Sequence, residues 1–323
     1  MQAKDEGTKQ QYRRETAEMR NLRLCFPSME RQINCMHSKL MLLSYPTHLR
    51  IVVPTANLVP YDWGESGDME NIVFIVDLPR LPDRQNTVPG TAFGRELIYF
   101  LNAMSLESSI VTSISNFDFS ATKHLAFVHT IGGAHTGESW RGTGYCGLGR
   151  AVKELGLATD SALNIDFVTS SVGSLNIDFL SMLYLAAQGD DGMTEYGWRH
   201  PGMGRGKSKA SKLELAEAEA AQEEIRNEIH DSFHIYFPTR DTVKASTAGF
   251  AGTICFQSKW YNSTTFPRDA LRDCKSTRTG LLMHNKVRKI ICLPFLAHDA
   301  SETRQPEGLI SNALMHHISQ RRT

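Results

Sequence analysis

The chain has 323 residues, 41% of them apolar, and its 35 Lys and Arg balance 35 Asp and Glu. That length fits about two domains with ordinary cores, and a formal net charge of zero gives no global attraction to nucleic acid. The polar opening MQAKDEGTKQQYRRETAEMR is not a secretory signal, and no run approaches the roughly 18 apolar residues of a membrane span. Cys25, Cys35, Cys146, Cys255, Cys274 and Cys292 show no C-x-x-C spacing, which argues against a zinc or disulfide framework and makes a reducing compartment the default.

In chain order, Glu6–Arg20 predicts an exposed helix and Leu22–Phe26 a short strand. Leu40–Leu43 and Leu49–Val53 read as two strands of a hairpin, and Ile72–Leu78 as a β-branched strand. Gly94–Ala103 predicts an amphipathic helix and Leu125–Ile131 another strand. Between Ile131 and Arg150 lie Gly132, Gly133, Gly137, Gly142, Gly144, Gly147 and Gly149. Without G-K-[ST] or a following apolar helix at P-loop spacing, this stretch reads as a linker at a domain boundary rather than a nucleotide cradle. Leu148–Leu157 then predicts a helix, Leu163–Val168 a strand and Leu175–Gln188 a helix. A polar insertion spans 189–231, with a solvated Glu/Ala-rich helix over Lys212–Ile229. Phe233–Phe237 and Ile254–Phe256 return to strand character. Mixed helices and strands in this order predict an α/β fold.

The motif that carries chemistry occurs twice: His37-Ser38-Lys39 and His284-Asn285-Lys286, each beside an apolar run. On a strand, residues i and i+2 share a face, so each copy can present an imidazole beside an ammonium. Two such pairs suit phosphoryl transfer: one histidine attacks phosphorus, the other protonates the leaving group, and the lysines hold the non-bridging oxygens. The hairpin would return Asn57 to the side of His37 and Lys39, where its amide can donate to phosphate without adding negative charge. Ser170–Leu175 (SSVGSL) offers hydroxyls and backbone amides to an anion, or is an ordinary Ser/Gly turn. The stretch from Lys259 to Lys289 holds eight basic residues (Lys259, Arg268, Arg272, Lys275, Arg278, Lys286, Arg288, Lys289) against Asp269 and Asp273, a place for a phosphate backbone or a solvated face. Trp63, Trp140, Trp198 and Trp260 read as packing residues. His316-His317 lacks the spaced carboxylate or Cys of a metal site.

The segment from Cys35 to Leu58 (CMHSKLMLLSYPTHLRIVVPTANL), the loop SSVGSL and the late MHNK together resemble the tyrosyl-DNA phosphodiesterase family of the phospholipase D superfamily, over about Met1 to Val287. Lipid-cleaving members carry Asp five residues after the Lys; here those positions are Ser44 and Ile291. That difference points to the nucleic-acid branch, whose Asn is matched by Asn57.

The resemblance implies two phospholipase D-like α/β/α domains facing each other, 1–138 with the first His-x-Lys and Asn, and 139–323 with the second. It also implies that the first lacks leading strands and the second its C-terminal part. From Val287 the chain departs from the family pattern, and Ser311-Asn312-Ala313-Leu314 only scrambles the second Asn motif.

The implied activity is hydrolysis of a 3′-phosphotyrosyl bond between DNA and a topoisomerase, in DNA repair. His37 is the implied nucleophile, forming a phosphohistidine, and His284 the general acid that later activates water. Lys39 and Lys286 would bind the phosphate with Asn57, and Ser171, Val172, Gly173 and Ser174 would contact DNA. No metal or cofactor is implied. The partner is single- or double-stranded DNA bearing a tyrosyl peptide, the protein a monomer in the nucleus. The departures from the pattern imply weak activity for this chain. The alternatives are an inactive remnant that at most binds DNA, or another phosphodiesterase of the superfamily.

Overall fold

The computed structural model describes residues 3, 5–28, 37–83, 89–201, 211–252, 254–285 and 287–292, with backbone alone at 255 and 287–292. In chain order the elements are α1 (Glu6–Glu15), β1 (Met41–Ser44), β2 (His48–Pro54), β3 (Met69–Glu70), β4 (Val73–Pro79), α2 (Ala92–Ala103), α3 (Ser108–Ser113) and α4 (Gly144–Glu154). They continue with β5 (Leu163–Val168), β6 (Ser171–Val172), α5 (Ile177–Gln188), α6 (Met193–Arg199), α7 (Lys212–Ser232), β7 (Phe233–Tyr236) and α8 (Arg240–Ala245). Last come β8 (Cys255–Phe256), α9 (Ser258–Tyr261), β9 (Leu271–Arg272), β10 (Leu282–Met283) and β11 (Val287–Cys292). The fold is α/β.

The first sheet runs β1-β2-β4, with antiparallel neighbours. Strand β2 alternates as its sequence demands: Leu49, Ile51 and Val53 turn into a core shared with Leu78 of β4. Helix α2 closes that core with Phe93, Leu97, Phe100 and Leu101, spaced to share one helical face. It starts where the Thr91 hydroxyl accepts from the Gly94 amide.

The second sheet has the order β11-β5-β7-β9, with β5, β7 and β9 parallel and β11 antiparallel to β5. Leu163, Ile165, Phe233 and Ile235 pack under α5 and α7 with Leu180, Leu183, Tyr184 and Ile229. Helix α5 is capped by the Asn176 side chain and ends at Gly189, whose φ of 104° is strained for any other residue. Helix α7 opens with a reciprocal Ser211–Glu214 capping box and buries only Ile229, the solvated helix its composition implies.

A smaller cluster of Val128, Leu148, Val152 and Ala186 links the two cores. A more consequential link is β10, which pairs in parallel with β3, setting Leu282 against Met69 and Met283 against Glu70. This late segment therefore docks on an early one.

Several expected elements differ. Leu22–Phe26 forms no strand. It folds back on α1, with Phe26 stacked 6.5 Å from Tyr12 and under the Arg13 guanidinium. Leu125–Ile131 is likewise not a strand. Phe127 and Val128 are buried as a strand would bury them, but the polar backbone bonds elsewhere: the His129 carbonyl accepts from the Gly144 amide, and the Ile131 amide donates to the Thr143 hydroxyl. The glycine-rich stretch is not all linker, because its last three glycines lie in α4, which begins four residues before the expected start. Gly149 is needed there: a Cβ would lie 1.7 Å from the Asp190 carbonyl oxygen.

Candidate active site

His37 and Lys39 lie in a segment without regular secondary structure just before β1, not on a ladder as the alternation argument assumed. The register of β1 with β2 pairs Met41 with Val52. Continued backwards beyond the ladder, that register would set Lys39 level with Pro54 and His37 level with Ala56, next to Asn57 in sequence. His37 is exposed, while Lys39 is half-buried and its Nζ donates to the His37 carbonyl at 3.1 Å. Burial lowers the Lys39 pKa from its ordinary value, and the nearby Asp62 charge opposes that shift.

Asn57 is fixed by Asp62, 1% exposed, in the 3-10 turn Pro60–Trp63. One Asp62 oxygen, Oδ2, accepts both the Asn57 backbone amide and its side-chain Nδ2, each at 2.7 Å. That uses one of the two hydrogens on the Asn57 amide nitrogen and leaves the other for a ligand. The Trp63 indole N–H donates to the Asn57 carbonyl at 2.7 Å.

His284 follows β10 immediately, and its backbone amide donates to the Glu70 carbonyl, extending the β10–β3 pairing by one bond. Its side chain is 6% exposed. Its Nδ1 lies 3.2 Å from Asn71 Oδ1 and 3.7 Å from Asp62 Oδ1. Asn71 cannot be turned the other way: its Nδ2 donates to the Asp62 backbone carbonyl, which can only accept, and its Oδ1 also accepts from the Thr55 hydroxyl. Nδ1 of His284 must then be the donor, which makes Nε2 the nitrogen that gains and loses a proton. A ring so held can give up a proton from Nε2 when charged and accept one there when neutral.

Asp62 thus joins Asn57, His284 and, through its charge, Lys39. His37 is tied to this group by its own carbonyl, which accepts from Lys39. Lys286 and Asn312 lie outside the described residues, as does His316-His317. Two members of the site were not anticipated, Asp62 and Asn71. The signal for Asp62 was an acid five residues after Asn57 in a turn; Asn71 had no signal beyond its place before a strand.

The SSVGSL loop divides. Ser171 and Val172 form β6, paired in parallel with β8. Val172 is 2% exposed, and Ser170 is buried with a hydroxyl that has no hydrogen-bond partner among the described residues. Gly173 is half-buried and Ser174 exposed. In the basic stretch, Lys275 and Arg278 are largely exposed, and Arg278 pairs with Glu70 at 3.3 Å beside β10. The tryptophans are not core: Trp63 is 42% exposed and Trp140, Trp198 and Trp260 are half-buried. Among the described residues no three His, Cys, Asp or Glu side chains cluster as metal ligands, and no helix is long and apolar enough to cross a membrane.

A half-buried lysine, a fixed amide donor and a histidine backed by a buried carboxylate are the groups that phosphodiester cleavage needs. The fold and these groups define a phospholipase D-like phosphodiesterase. The chain matches the family model for tyrosyl-DNA phosphodiesterase over residues 1–305 and belongs to that family. No curated protein matches it significantly.

Proposed function

We propose that this chain hydrolyses 3′-phosphotyrosyl DNA, the adduct left by a topoisomerase, through a covalent phosphohistidine on His37. The observation that supports this reading is the meeting of Asn57, His284 and the Lys39 charge at Asp62, made possible because β10 docks on β3. His37 attacks phosphorus as the P–O bond to tyrosine breaks, and the phenolate takes a proton from His284 Nε2. Water then attacks phosphorus, the P–N bond breaks, and His284 takes the proton from water. Lys39 and Asn57 face the non-bridging oxygens, with Lys286 as the second lysine.

The halves 1–138 and 139–323 act as the two domains of the site, each supplying one histidine. Ser171, Val172, Gly173 and Ser174, together with the exposed Lys275 and Arg278, would hold the DNA strand. Chromosomal adducts as substrate imply repair work in the nucleus. The test is release of tyrosine from a 3′-phosphotyrosyl oligonucleotide by the purified chain in excess EDTA. Release at an undiminished rate is expected; loss in EDTA with recovery on adding magnesium would contradict the two-histidine mechanism.

A further inference from the structure

We propose that Phe250 is a stacking platform for one nucleobase of the bound strand, a role that rests on the reading above of DNA as the substrate.

Phe250 is 65% exposed, the most open aromatic side chain among the described residues. It stands in the 3-10 turn Gly249–Ala251, which follows α8. The backbone of that turn is held firmly. Ser246 Oγ accepts from the Gly249 amide at 3.0 Å, and the Ala251 and Gly252 amides donate to the Ala248 and Gly249 carbonyls. Gly249 takes a φ of 52°, which favours glycine. A ring presented on a fixed turn has little freedom left to lose when it binds.

Both flanks of the turn are fastened to elements that carry the site. On one side the Thr247 amide donates to the Gly280 carbonyl at 2.9 Å. Gly252 also packs so closely on β10 that a Cβ there would lie 2.7 Å from Leu282 Cδ1. On the other side the chain enters β8, where Cys255 pairs with Ser171 and Phe256 with Val172 of the SSVGSL loop. Gly280 precedes His284 by four residues, about 13 Å of extended chain at ~3.3 Å per residue. That span is about four nucleotides at the ~3.4 Å spacing of a stacked strand, and fewer in an extended one. The ring therefore belongs beside an interior nucleotide, not the reacting one.

Charge around the ring favours a polyanion. The Arg240 guanidinium carbon lies 6.0 Å from the ring centroid, and Arg240 and Lys244 are both exposed on α8. Lys275 and Arg278 add two more exposed cations, each with an acid at 3.3 Å, Asp273 and Glu70. A guanidinium at one face of the ring can bond a phosphate while the other face takes a base. An open ring among cations is the pairing that sequence-tolerant contact with a single strand uses. A protein partner would need apolar area around the ring, and Thr247, Ala248, Ala251 and Gly252 supply little.

The experiment couples the ring to one base. Fluorescence anisotropy of a labelled single-stranded oligonucleotide with an unmodified 3′ end measures binding without cleavage, at one fixed salt concentration. The parent chain, Phe250→Ala and Phe250→Trp are compared on the full strand and on strands with one abasic nucleotide at successive positions from the 3′ end. Phe250→Ala should weaken the full strand about 10-fold, within the ~5- to 150-fold that stacking of one base is worth. At one interior position the abasic strand should bind the parent weaker by about the same factor and Phe250→Ala no weaker than the full strand does. Phe250→Trp should keep both the affinity and the sensitivity of the parent. Equal binding by the parent and Phe250→Ala, or losses that add at every position, overturns the inference, as does failure of the parent to bind the strand. A loss confined to strands bearing a 3′ tyrosyl peptide gives the ring to the peptide and also overturns it. Tyrosine release by the parent is assayed in parallel. If the coupling is present and no tyrosine is released, the proposed reaction falls and the role of Phe250 stands. If tyrosine is released and the coupling is absent, only the role of Phe250 falls.

Discussion

The two His-x-Lys pairs are near copies in sequence and opposites in setting. His37 is exposed in an irregular segment ahead of β1, and the lysine two residues on bonds back to its carbonyl. His284 is buried at the end of β10, its Nδ1 committed to Asn71 and facing a buried carboxylate. A repeated motif therefore does not imply a repeated job. An attacking nitrogen must reach phosphorus along a line open to substrate. A proton-transferring nitrogen must keep one tautomer and a supported charge. The exposed copy suits the first task and the clamped copy the second.

The largest expected effect breaks the comparison at the exposed copy. His37→Ala removes the attacking group, so tyrosine release should fall by at least about 10⁴-fold with no DNA–protein adduct. Denaturing gels with a labelled oligonucleotide check both. At the clamped copy, His284→Ala should slow turnover by about 10²–10⁴-fold while an adduct accumulates, because release suffers more than attack. Equal loss of attack and release would make the two settings irrelevant to role. A step smaller, Asn57→Ala removes one phosphate donor and should cost about 10²–10³-fold in kcat, read from steady-state kinetics on the same substrate.

The smallest effect sharpens the comparison by leaving the site alone. In the first core Glu96 lies between Arg150 and the fully buried His129. Burial pushes the Glu96 pKa up, but the hydrogen bond from His129 and the Arg150 charge outweigh it, and the net shift is downward. A carboxyl depressed in the folded state stabilises above its unfolded pKa, and that contribution is lost as pH falls through the lowered folded value. Melting temperatures of Glu96→Gln should therefore fall short of those of the parent at neutral pH and approach them in acid, as pH falls through the lowered folded value. Cleavage at neutral pH and low temperature should be unchanged.

Much of the framework was legible because local pattern and tertiary demand agreed. The β2 alternation, the α2 stripe, the α5 core helix and the polar α7 all follow from spacing alone. Leu22–Phe26 and Leu125–Ile131 failed for a shared reason. Apolar, strand-prone residues say that a segment will be buried, not that a neighbouring strand will be there to pair with. In Leu125–Ile131 the packing of Phe127 and Val128 is met while the backbone bonds elsewhere, and Leu22–Phe26 lies against α1 with Leu22 still 42% exposed. Both histidines, Lys39 and Asn57 are candidates that motif, hairpin geometry and the family resemblance suggest. Asp62 and Asn71 are not among them, because their role depends on β10 crossing more than 200 residues of sequence to pair with β3. Contacts of that separation leave no periodic trace in either partner.

The most direct measurement locates the covalent bond. His284→Ala is mixed with a 3′-phosphotyrosyl oligonucleotide, quenched, digested with protease and nuclease under mildly alkaline conditions, and mapped by mass spectrometry. The account predicts a nucleotide joined through phosphorus–nitrogen to the peptide containing His37, absent when His37 is also replaced. An adduct on any other residue, or tyrosine release undiminished in His37→Ala, would contradict it.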